Sequence, residues 1–101
     1  MTTFLFIGKY SSQGVREASA RRTQKMLETV MESGGRVASM YALLGVYDLL
    51  LVTEFEDVQA AMKASLKLNK STGISFTTLP AVTVAEFDKM LDESAGAPDW
   101  K

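Results

Sequence analysis

Apolar positions along this chain follow two rhythms, and each change of rhythm marks an element. Residues 3–9 set Phe4 and Phe6 on one side and Leu5 and Ile7 on the other, a strand greasy on both faces that Gly8 closes. After the polar loop Tyr10-Ser11-Ser12-Gln13-Gly14 the period lengthens. Ala18, Met26, Leu27, Val30 and Met31 make one stripe of a helix predicted over residues 15–33, and Gly34-Gly35 ends it with a left-handed cap. Period two returns in residues 36–44, where Val37, Ser39, Tyr41 and Leu43 oppose Ala38, Met40, Ala42 and Leu44, and again in residues 48–55, where Leu49, Leu51 and Phe55 oppose Leu50, Val52 and Glu54. Asp57 is a natural N-cap for a second helix to about residue 71, with Val58, Ala61, Met62, Ser65, Leu66 and Asn69 on its stripe. Residues 74–79 alternate once more, Ile74 and Phe76 against Ser75 and Thr77, and Pro80 is expected to end the pairing. Thr83 to Glu86 reads as a capping box that opens a third helix with Phe87, Met90 and Leu91 inward.

The order is β-α-β-β-α-β with a C-terminal helix. It predicts an α+β, ferredoxin-like fold: a four-stranded antiparallel sheet with both main helices on one face, formed by a single domain over residues 1–94 and followed by a loose tail at 95–101 that carries Trp100. Strands apolar on both faces pose a problem for one layer of helices. Leaving roughly six apolar side chains in water forfeits about 1.5–3 kcal/mol apiece, comparable with a whole domain's stability of about 5–15 kcal/mol. The economical solution is a homodimer or a multiple of one, with two sheets packed face to face.

Composition narrows the chemistry. The 101 residues include eleven basic and twelve acidic ones for a net charge of −1, so no field attracts nucleic acid or an anionic membrane. There is neither cysteine nor histidine, which removes disulfides, thiol nucleophiles, histidine-based triads and the usual zinc and haem ligands. Phe4-Leu5-Phe6-Ile7, the longest early apolar run, is too short to span a bilayer and lacks the basic flank of a signal peptide, so a cytoplasmic setting is the expectation. RNA-recognition modules share the topology but need stacking aromatics on the third strand, where residues 49–53 are aliphatic apart from Thr53. No cofactor or metal is expected. Glu54, Glu56 and Asp57 are explained by a strand end and a helix cap, and Met26, Met31, Met40, Met62 and Met90 by adaptable core packing.

Between paired sheets, incomplete filling leaves an apolar cleft suited to a small molecule. Tyr10, Tyr41, Tyr47 and Glu54 are the polar-tipped residues expected at its mouth, and Asp48 beside Tyr47 offers a proton acceptor next to a phenol. In its structural reading, Gly45-Val46-Tyr47-Asp48 is a tight turn in which Asp48 bonds its own backbone. The loop at residues 8–14 lacks the phosphate-loop spacing, although the amides of the following helix, with Arg16, could hold an anion. Arg21, Arg22 and Lys25 read as a solvated face.

Gly45, Tyr47 and Asp48 also give the chain its resemblance. It resembles the GYD family of small bacterial and archaeal proteins, with Ser12-Gln13-Gly14-Val15 similar to the family's opening loop (serine where the family has threonine), Met40 to Glu54 similar to its central hairpin, and Thr78-Leu79-Pro80-Ala81 similar to its last strand, over about residues 3–93. The resemblance implies a dimeric α+β barrel and no particular reaction. The expected function is a small-molecule-binding or interaction module. A cofactor-free enzyme of the small-barrel oxygenase or isomerase type, using Tyr47, Asp48 and Glu54, is the alternative.

Overall fold

The computed structural model describes residues 1–11 and 19–95. Over them the elements run β1 (Thr2–Lys9), α1 (Ala20–Glu32), β2 (Arg36–Ala42), β3 (Leu49–Phe55), α2 (Val58–Thr72), β4 (Ser75–Ala81) and α3 (Val84–Ala95). The strands form one four-stranded sheet in the order β2-β3-β1-β4, with every neighbouring pair antiparallel. This is the ferredoxin-like arrangement that the hydrophobic rhythm predicts.

Strict alternation in β1 and β3 builds the core on one face. Phe4 and Phe6 from β1 and Leu49, Leu51 and Phe55 from β3 are buried against Met26 and Val30 of α1 and Ala61, Ala64 and Leu68 of α2. The Phe6 and Phe55 rings stack at 5.8 Å, and Phe4 meets Phe55 edge-on at 6.2 Å. Thr53 falls in the same buried row, and its hydroxyl donates to the Phe4 carbonyl at 2.8 Å, so the polar atom is satisfied.

Local chemistry sets the boundaries. Helix α1 begins at Ala20, later than its apolar stripe suggests, because Ser19 is extended (φ −163°, ψ 159°) and its hydroxyl accepts the Arg22 amide at 3.1 Å; Ala18, at the start of the expected stripe, lies outside the described residues. Met31, expected inward, is exposed. Gly34 alone is left-handed at the end of α1 (φ 88°), while Gly35 has a different job: a Cβ there would run into the Phe55 ring. Asp57 caps α2 as expected, its carboxylate accepting the Ala60 amide at 2.8 Å, and Gly73 closes the helix at φ 71°.

Four further expectations change. The register of β2 against β3 slips between Val37 and Ser39, so the bulge at Ala38 turns Val37 to the core side together with Met40, against simple alternation. The buried stripe of α2 is Ala61, Ala64, Leu68 and Thr72, whose small residues let the helix lie close to the sheet; Val58, Met62 and Leu66 are exposed. Pro80 does not end pairing: β4 runs on to Ala81, with Pro80 opposite Phe4, because an edge strand tolerates a missing amide donor. Finally α3 is capped as predicted, the Glu86 amide donating to the Thr83 hydroxyl at 3.1 Å, yet Phe87, Met90 and Leu91 are exposed and no residue from 84 to 93 is buried.

Candidate functional site

The strand residues that face away from the helices form the most extensive feature of the sheet. Cross-strand pairing places Leu5 opposite both Val52 and Leu79, and Ile7 opposite Leu50, in one band across the outer face. Tyr41, opposite Leu50, extends the band onto β2. Leu5, Ile7, Leu50 and Val52 are half-buried, Leu79 and Tyr41 are exposed, and among the described residues no helix lies over them.

At one end of this face the β2–β3 connection is wider than a tight turn. Leu43 donates its amide to the Asp48 carbonyl at 2.8 Å, closing a loop whose Gly45 takes φ 145°. The Asp48 carboxylate does not cap its own turn: it accepts the Tyr10 amide at 2.8 Å, and the Asp48 amide donates to the Gly8 carbonyl at 2.9 Å. Asp48 thus ties the hairpin to the end of β1. Leu44, Val46 and Tyr47 project from the loop into solvent.

The Tyr10 ring packs on the edge of the core and carries the Arg22 guanidinium 4.9 Å above its centre. Arg22, read from sequence as part of a solvated face, therefore joins this cluster. No sequence signal could have linked it to Tyr10, since the contact depends on how α1 crosses the sheet.

Tyr10, Tyr47 and Asp48 are accordingly gathered at one end, with Tyr41 on the adjoining strand. Glu54 is not among them. It stands at the far end of β3, about 20 Å along the strand from Asp48, and accepts the Arg36 guanidinium at 2.7 Å. Arg16 lies outside the described residues. Asp57 is occupied by its helix cap, and among the described residues no three acidic side chains gather as a cation site. The methionines divide likewise: Met26 is buried and Met40 packs on the core, whereas Met31, Met62 and Met90 are exposed.

A second apolar feature was missed in the sequence. Val58, Met62 and Leu66 of α2 face Phe76 and Pro80 of β4 across a trough of about 390 Å³ floored by Phe4. The signal was present, because these α2 residues recur at i, i+4 and i+8, but the stripe was assigned to the core.

Among the described residues no helix is long and apolar enough to cross a membrane. A family model described as the GYD domain matches residues 4–91. The "Glutamine synthetase and cystathionine beta-lyase binding protein" of Thermus thermophilus is 31% identical over 90 residues, covering 85% of this chain and 94% of the relative. No solved structure matches the chain significantly.

Proposed function

The chain belongs to the GYD domain family, and from that premise we propose that it is a protein-interaction module, in which two copies pair through the outer faces of their sheets and the pair docks onto partner proteins. The observation that carries the reading is the band of Leu5, Ile7, Leu50, Val52 and Leu79 turned away from the helical layer. Apolar surface of that extent in a soluble chain marks an association site. A second copy offers the same band in return, which makes a two-fold pairing self-complementary.

The relative's name supports the second half of the proposal, since it records a protein that binds two enzymes. On this chain the hairpin tip, with Leu44, Val46 and Tyr47 exposed on a loop anchored by Asp48, is the surface we assign to a partner enzyme. Aromatic and aliphatic side chains held on a fixed backbone are the usual anchors of such contacts. A small molecule held between the paired sheets near Tyr41 is a compatible extension, favoured by the phenol on the otherwise aliphatic band. The enzyme alternative would need its carboxylates in one cleft, whereas Asp48 and Glu54 occupy opposite ends of β3 and each already holds a partner. We assign the protein to the cytoplasm, in keeping with a chain free of cysteine.

Sedimentation at micromolar concentration tests the pairing. Wild-type protein is expected to run as a dimer or a multiple of one, and Leu50→Asp as a folded monomer with an unchanged far-ultraviolet spectrum. A monomeric wild-type protein would remove the first half of the proposal. Immobilised protein challenged with purified glutamine synthetase and cystathionine β-lyase tests the second half, with Tyr47→Ala expected to weaken any capture without altering sedimentation.

A further inference from the structure

Helix α3 and the trough between α2 and β4 are complementary in three respects. In shape and polarity, Val84, Phe87 and Leu91 recur along one side of α3 with Met90 beside them, all exposed, and the trough presents Val58, Met62, Leu66, Phe76 and Pro80 over Phe4. In charge, α3 carries Glu86, Asp88, Asp92 and Glu93 against the single Lys89, a net of −3, while α2 carries Lys63, Lys67 and Lys70 and no acid, a net of +3. On α3 the acids border both edges of the apolar stripe. On α2, Lys63 and Lys70 lie one step further round from Met62 and Leu66, on the outer rim of the trough. In length, twelve residues of helix reach about 18 Å, enough to cover the spacing from Val58 to Leu66.

The chain's own α3 does not lie in its own trough. Ala81 is still paired with Thr3 and Thr83 already caps the helix, so Val82 alone joins the two elements and α3 stands clear of the body. Both the start of α3 and the trough border the same edge strand, β4.

We infer that the trough of each copy receives α3 of a second copy, the acidic amphipathic helix of one chain seating on the basic helix of the other in a reciprocal exchange. The inference rests on the sheet pairing proposed above, which brings the second copy's β4 edge within reach. The exchange covers the exposed faces of α2 and α3 together, and it leaves the hairpin tip, at the end of the sheet opposite the start of α3, free for other proteins.

The chain has no native cysteine, so introduced thiols are the only ones present. Leu66→Cys and Met90→Cys variants, one of them tagged, are refolded together and treated with a short bis-maleimide. The expected product is a covalent dimer containing one chain of each kind, lost when Phe87→Asp is added to the Met90→Cys chain. A third variant carries Leu66→Cys and Met90→Cys in one chain; cross-linking confined within that chain would overturn the exchange in favour of an internal fold-back. Absence of any cross-link while sedimentation still reports a dimer would overturn the exchange and leave the sheet pairing standing. A wild-type protein that sediments as a monomer would overturn both.

Discussion

Gly35 is required by geometry: its backbone lies against the buried Phe55 ring, with no space for a methyl group. Gly35→Ala is therefore expected to lower stability by about 1–3 kcal/mol, the range for overpacking a filled core, read as a fall in melting temperature. Gly34, whose φ is 88° with open space around it, has the opposite constraint, one of backbone conformation alone. Two adjacent glycines that look like one cap in the sequence thus do different work. Asp48 shows the same kind of reassignment. Its carboxylate holds the Tyr10 amide across 38 positions of sequence, so Asp48→Ala leaves a part-buried donor unpaired. The expected cost is about 1–3 kcal/mol, and Asp48→Asn, which keeps an accepting oxygen, should cost less in the same denaturation experiment.

Among the elements, caps were the most legible and faces the least. Asp57 and Thr83 cap their helices as their residue types suggest, because a cap is decided within four residues. Ser19 does the same for α1, and Ser19→Ala is expected to cost about 0.5–2 kcal/mol, visible as faster amide exchange in the first turn. Which side of an element is buried depends instead on its neighbours. Period two located β2, but a bulge at Ala38 that no local residue type announces moved Val37 to the core side. Helix α2 has two apolar stripes, and the one with smaller residues faces the sheet, since Ala61 and Ala64 permit close approach while Met62 and Leu66 would hold it away. Pro80 kept its place in β4 because that strand lies at the edge, a fact set by strand order.

For the whole molecule, the proposed pairing makes folding and assembly one equilibrium. Thermal unfolding of the wild-type protein should shift upward by about 3 °C for each tenfold rise in concentration, and the Leu50→Asp variant should show no such dependence; scanning calorimetry at two concentrations distinguishes them. The candidate site divides along the same lines. Asp48 holds the Tyr10 amide, with Tyr47 exposed next to it in the chain, while Glu54 was drawn into the set by its residue type and stands at the other end of its strand. By itself the sequence determined the element order, the helix caps and a sheet apolar on both faces, because each of these follows from the spacing of side chains a few residues apart. Only the tertiary structure decided that Arg22 covers Tyr10, that Phe55 excludes a side chain at Gly35, and that α3 leaves its own apolar trough open, because those outcomes depend on the crossing and ends of elements that are distant in the chain.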